Sequence, residues 1–202
     1  MSSVFNRWTD ADVLELIEAY PLAIMVSFRP QGFASTPLPM LADVDANGRL
    51  VRLLGHMSRA NPQVSHLQAQ PAACFLFQGP QAYVSPRLLS NRNWAPTWNY
   101  ALVQVHAEVE FTPELNDQAL RRLVSRMESG HQDPWTIEEL GDRYEELSSH
   151  ITAFIAKVRS VEARFKLGQN EKRANFKQIL AGLEHPELAQ WMKKFAQQRD
   201  GS

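Results

Sequence analysis

The spacing of apolar positions changes several times along the chain. Val13, Leu16, Ile17 and Tyr20 fall on one face of a helix that Thr9 can cap, with Asp12 three residues on, and that Pro21 ends. From residue 22 to 111 the segments shorten: 22–28, 38–44, 50–54 and 72–77 are apolar runs bounded by Gly, Pro, Asn or Asp, and Asn47-Gly48 is a hairpin signal between two of them. Val103, Val105, Ala107, Val109 and Phe111 alternate with Gln104, His106, Glu108 and Glu110, the two-residue period of a strand with one buried face. Thr112-Pro113 then opens a helix carrying Leu115, Ala119, Leu123 and Met127, and 136–148 predicts a second, more polar one. Residues 151–161 return to strand, with Phe154, Ala156 and Val158 on one face. The tail carries two helical stripes, Phe176-Ile179-Leu180-Leu183 and Leu188-Trp191-Met192-Phe195, which predict packing surfaces against the core or a second subunit. Six or so strands decorated by helices define a mainly β chain with peripheral α (α+β), a small closed or partly closed barrel.

Composition narrows the function. The 202 residues suit one large domain or one domain with appended helices. Twenty-one basic and 22 acidic side chains give a formal charge of −1, which argues against a protein whose main task is gripping nucleic acid. A local basic patch from Arg121, Arg122 and Arg126 stays open. Cys74, the single cysteine, cannot form an internal disulfide and reads as a buried, inert thiol. The longest apolar run is too short to cross a bilayer and no basic leader precedes it, so the expectation is a cytoplasmic protein without membrane contact.

Four stretches hold the candidate chemistry. Gly55-His56-Met57-Ser58-Arg59-Ala60-Asn61-Pro62-Gln63 follows a strand and opens a helix; free amides at a helix start, a serine hydroxyl and an arginine fork suit a phosphate. An ordinary capped helix with a solvated arginine is the alternative, and the chemistry alone favours it. Gly79-Pro80, within Phe77 to Pro86, predicts a turn between two apolar segments whose backbone could face a flat ring, or simply a strand bend. Thr97-Trp98-Asn99-Tyr100 sets aromatics around an amide immediately before a strand, as a ligand wall, a subunit contact or core. Lys166-Leu167-Gly168-Gln169-Asn170 ends the last strand with a cation and amides, or caps a helix. The histidines have no paired metal-ligand spacing, so no metal site is expected, and no Walker loop, dinucleotide fingerprint or nucleophile elbow is present.

In this order the four stretches, GHMSRANPQ, FQGPQAYVSP, PTWNYA and KLGQN, resemble the PaiB-type family of FMN-binding negative transcriptional regulators over residues 4–183. The resemblance implies an FMN-binding split β-barrel related to pyridoxamine-phosphate oxidase, formed by 1–202 as a single domain with 171–202 as a helical C-terminal extension. It implies a homodimer with FMN sites at the subunit interface. The cofactor contacts it implies are His56, Met57, Ser58, Arg59, Asn61, Thr97, Trp98, Asn99, Lys166 and Gln169, with Ser58 and Arg59 on the phosphate and Thr97–Asn99 near the flavin. Three positions depart from the pattern: Pro37 stands where a histidine is expected, Val64 where a tryptophan is expected and Gly168 where a serine is expected.

Three functions follow from the resemblance. A flavin-linked transcriptional regulator is the family reading, although the near-neutral charge and the lack of a convincing helix-turn-helix do not favour direct DNA contact. An FMN-dependent oxidoreductase of the NAD(P)H:flavin reductase kind is the second, with the redox chemistry supplied by the flavin and no side chain marked as acid or base. A flavin- or haem-binding dimer without catalysis is the third.

Overall fold

The computed structural model describes residues 4–29 and 32–200. Seven strands form one sheet: β1 (Leu22–Arg29), β2 (Gly32–Pro39), β3 (Leu41–Val44), β4 (Leu50–Ser58), β5 (Ala72–Val84), β6 (Thr97–Phe111) and β7 (Ile151–Lys166), in the order β2-β1-β5-β6-β7-β4-β3. The pairs β1·β2, β1·β5, β3·β4 and β4·β7 are antiparallel. The helices are α1 (Asp10–Ala19), α2 (Gln63–Ala69), α3 (Asn116–Met127), α4 (Arg143–Ser149), α5 (Arg173–Gly182) and α6 (Pro186–Asp200). The mainly β class with several helices is therefore borne out.

Three boundaries differ from the sequence pattern. The run 38–44 is two strands broken at Met40, and β2 begins six residues earlier than expected. Pro37 hides β2 in the sequence, yet a strand at the sheet edge tolerates proline because its N–H is not needed in a second ladder. Gly79-Pro80 is no turn: it lies inside the continuous β5, where burial shifts from Ala73, Phe75, Phe77 and Gly79 to Ala82 and Val84. The buried positions change parity there, and the strand continues. The helix expected over 136–148 is divided at Gly141, whose φ of 53° lies in the left-handed region that glycine adopts without strain.

The chain divides into two compact units, the larger formed by 10–77 and 104–162 and the smaller by described residues 4–9, 78–103 and 163–200. In the larger unit α1 buries Val13, Leu16 and Ile17, as its spacing predicts. Phe75 stacks on Phe154 at 6.2 Å, and Phe111 meets Phe154 edge-on at 6.0 Å. Helix α3 lays Ala119 and Leu123, with Leu115 of the turn before it, against Leu41, Leu54, Ala153 and Ile155. Its polar side is clamped by Asp43, which accepts from Arg52 Nε at 2.7 Å and from Arg122 at 2.6 Å.

Burial alone would raise the Asp43 carboxyl, but the hydrogen bonds from Arg122 and Arg52 outweigh it and hold the group below its ordinary value of 3.8. A carboxyl depressed by folding adds stability that is full above its unfolded value and is lost as pH falls through the folded one. Asp43→Asn is therefore expected to lower stability at neutral pH and to flatten the loss of stability below about pH 4, where the wild type gives up this contribution. Urea unfolding at several pH values checks it; parallel pH profiles for the two proteins would contradict it.

In the smaller unit Phe165 stacks on Trp191 at 5.9 Å and on Phe195 at 4.6 Å. Phe176, Ile179, Leu188 and Met192 are buried beside them. Both stripes of the tail are thus largely spent within this unit.

Candidate functional site

The expected site residues fall into two groups, one in each unit. In the larger unit β4 does not stop before the motif but runs through it to Ser58, because Gly55, His56, Met57 and Ser58 stay in register with Phe154, Ala153, Thr152 and Ile151 of β7. The motif therefore hands its residues to alternate faces. Met57 is buried in the core, whereas Ser58 is exposed. His56 is half-buried, and burial lowers its pKa, favouring the neutral ring.

After the strand the chain turns sharply, with Asn61 N–H donating to Ser58 O at 3.0 Å. Arg59 is fixed by two bonds to β7 and its approach: its N–H donates to His150 O at 2.9 Å and its Nε to Ile151 O at 2.6 Å. The same carbonyl accepts from Asn116 Nδ2 at 3.2 Å, and Asn116 Oδ1 accepts from Ala153 N–H at 2.7 Å. Only the Nε of the Arg59 guanidinium is committed, and no carboxylate pairs with it among the described residues. Ser58 Oγ accepts from Ala60 N–H at 3.3 Å, which leaves its own proton to donate.

The helix start contributes less than expected. Helix α2 begins at Gln63 with Pro62 in the cap position, and Asn61 serves the first amides from one residue further back: Asn61 Oδ1 accepts from Gln63 N–H at 2.9 Å and Asn61 O from Val64 N–H at 3.0 Å. Those amides are already satisfied, so the donors left over at this turn are those of Ser58 and Arg59 rather than of the helix end. Behind the turn lies a buried polar cluster that no local signal announces. Gln63 is 2% exposed; its Nε2 donates to Ser27 Oγ at 2.8 Å and to Ala34 O at 3.3 Å. The Thr36 hydroxyl donates to Gln63 Oε1 and accepts from Asn61 Nδ2 at 3.0 Å. These bonds tie the β1–β2 hairpin to the turn after β4.

In the smaller unit, Thr97 to Asn99 are already within β6. Lys166 donates to Thr97 Oγ1. Trp98 is 53% exposed and meets the Tyr83 ring edge-on at 6.0 Å. Asn99 is buried, with its Nδ2 3.5 Å from Met192 Sδ. Gln169 spends both ends of its amide locally, accepting from Leu167 N–H at 2.8 Å and donating to Phe165 O at 2.5 Å. Gly168 between them has φ 83°, and a Cβ there would sit 3.3 Å from the Phe176 ring. The departure from serine is thus a backbone requirement of this loop as well as the loss of a hydroxyl.

The basic patch on α3 is largely neutralised. Arg121 pairs with Asp117 and Glu138, Arg122 with Asp43, and Arg126 donates to Glu18 O at 2.9 Å. Cys74 is only partly buried; burial, then the charge of Glu162, raises its pKa and keeps the thiol protonated. Among the described residues no cluster of His, Cys, Asp and Glu is placed to hold a metal ion, and no helix is long and apolar enough to cross a membrane.

The mainly β antiparallel sheet with its peripheral helices is the fold of the flavin-binding split-barrel class. The family model described as "Putative FMN-binding domain" matches residues 1–160, and the chain belongs to that family. Its cofactor is FMN, as the four motifs imply. The chain is 28% identical over 138 residues to the protease synthase and sporulation protein PAI 2 of Bacillus subtilis (strain 168), covering 67% of this chain and 66% of that protein, slightly under two thirds of the relative's length. This bears out the PaiB-type resemblance.

Among solved structures, the fold is similar to a conserved hypothetical protein, Rv2991, from Mycobacterium tuberculosis (TM-score 0.58, 14% identity, covering 83% of this chain and 92% of that one). It is also similar to the flavocytochrome Anf3 from Azotobacter vinelandii (TM-score 0.56, 17% identity, covering 79% and 68%). A third is an FAD and heme binding protein from Mycobacterium smegmatis (TM-score 0.56, 15% identity, covering 86% and 78%). At these identities the likeness is one of fold. The donors present fit the chemistry of FMN: a terminal phosphate needs charged and hydroxyl hydrogen-bond donors free of competing carboxylates, and Ser58 and Arg59 have such donors left over among the described residues.

Proposed function

We propose that the protein is a homodimeric, flavin-linked transcriptional regulator of the PaiB type, in which Ser58 and Arg59 hold the FMN phosphate. The observation that carries the reading is the anchored, unpaired guanidinium of Arg59: held at Nε and the backbone, it has donors left for an anion. Asn61 supports the cradle by shaping its turn, and His56 and Met57 belong to the strand that carries it. Thr97, Trp98, Asn99, Lys166 and Gln169 form the second set, which serves the flavin of a partner subunit in this reading.

The dimer has a candidate surface in the larger unit. Leu22, Ile24 and Phe28 on β1 are 62%, 44% and 61% exposed, and Phe33 on β2 is 76% exposed. Alternation puts the three β1 residues on one face, and Phe33 is the register partner of Phe28, with ring centroids 5.4 Å apart. A contiguous apolar face of this kind is unfavourable in water and typical of an interface core. The paired arginines of α3 argue that regulation does not rest on a broad basic DNA-binding surface.

The test is a visible absorbance spectrum of the purified protein after FMN addition and desalting, followed by DNA binding at physiological salt. Retained flavin bands and tighter binding to a promoter fragment than to random DNA are expected of the regulator. Retained flavin with no DNA preference would overturn direct regulation. Absence of retained flavin would overturn the assigned phosphate site.

A further inference from the structure

We propose that Thr36 is a positioning residue for the phosphate: its hydroxyl sets the loop that presents Ser58 and Arg59, although it lies in the β1–β2 hairpin and not in the cradle. This inference rests on the reading of Ser58 and Arg59 as the phosphate donors. The loop 58–61 is held from two sides. On one, Arg59 is tied to His150 O and Ile151 O. On the other, Asn61 donates through Nδ2 to Thr36 Oγ1 at 3.0 Å, and the Thr36 proton goes to Gln63 Oε1.

A single hydroxyl thus serves as acceptor for one amide and donor to another. The second amide has nowhere else to turn: Gln63 is 2% exposed and its nitrogen is committed to Ser27 Oγ, itself 2% exposed, and to Ala34 O. Removing the hydroxyl strips a bond from Asn61 and from Gln63 together, and a buried amide oxygen without a donor drives rearrangement of the turn. The β7 anchor of Arg59 survives, so the chain stays folded while the distance and angle between the two phosphate donors lose their fixed values. Ordering them again is then charged to ligand binding.

The experiment compares FMN with riboflavin, which has the same ring and ribityl chain but no phosphate, by fluorescence titration. Thr36→Val keeps the shape and removes the hydroxyl. It is expected to weaken FMN binding by about tenfold with little change for riboflavin, and Thr36→Ser is expected to restore FMN binding. Hydrogen exchange at Ala60 and Asn61 in the ligand-free protein is expected to accelerate in the valine variant and not in the serine one. Should Thr36→Val fail to fold, Thr36→Ala removes the same hydroxyl without the branched side chain and is read by the same ratio.

Arg59→Ala is titrated in parallel. If it abolishes the preference for FMN while Thr36→Val leaves that preference intact, or weakens both ligands equally, the positioning role is overturned and the cradle stands. If Arg59→Ala leaves the preference unchanged, the cradle itself is misassigned and the role of Thr36 falls with it.

Discussion

Arg59→Ala is expected to weaken FMN binding by about 1–2 kcal/mol, roughly five- to thirtyfold, while leaving the melting temperature of the ligand-free protein nearly unchanged. The guanidinium is exposed and pairs with no carboxylate among the described residues, so its removal exposes no buried charge. One bond to the Ile151 carbonyl is lost, but that oxygen keeps Asn116 Nδ2 at 3.2 Å, and the backbone bond from residue 59 to His150 O does not depend on the side chain. The loss on binding is larger because a charged donor to a phosphate has no substitute in the loop: the first amides of α2 are already served by Asn61. Fluorescence quenching of FMN across a titration measures the effect. Equal affinity in the variant and the wild type would remove Arg59 from the phosphate site.

The second large effect is on folding. Gly55 lies in β4 where a Cβ would fall 2.7 Å from both Sδ and Cε of Met40 and 2.9 Å from Cζ of Phe154. Met40 can swing its flexible end aside, but Phe154 is fully buried and stacked on Phe75, so its ring has no free direction in which to move. Gly55→Val is therefore expected to cost about 1–3 kcal/mol through overpacking, with Gly55→Ala at the lower end. In urea this reads as a lower midpoint with an unchanged slope. A midpoint equal to the wild type would show that the Met40–Phe154 contact is looser than these distances imply.

The sequence was most legible where a local rule decides the outcome. Helix α1 follows from one apolar stripe followed by a proline, and β6 from the alternation of Val103, Val105, Ala107 and Val109. The residue types of Ser58 and Arg59 marked them as candidate donors, and it is the structure that leaves their donors exposed. What the pattern hid has non-local causes. Strand β2 carries Pro37 and polar residues, and only its position at the sheet edge makes that composition acceptable. Thr36 and Gln63 are 27 positions apart, and neither has a neighbour that signals their contact. Gly168 reads in sequence as a missing serine hydroxyl, whereas its backbone angle shows a position that any side chain would strain.

The GHMSRANPQ stretch also divides its labour in a way that bears on how relatives should be sorted. Gly55 answers to the Phe154 ring, Asn61 to the helix whose first amides it serves and Gln63 to the hairpin, and all three requirements persist with no ligand bound. Ser58 and Arg59 alone carry exposed donors that the fold does not use up. Descendants of a common ancestor could therefore retain most of the signature under selection for folding alone after cofactor binding had been lost. If Ser58 and Arg59 hold the phosphate as proposed, substitution at these two positions, with Gly55, Asn61 and Gln63 intact, is the mark by which such a flavin-free branch would be told from its flavin-binding kin.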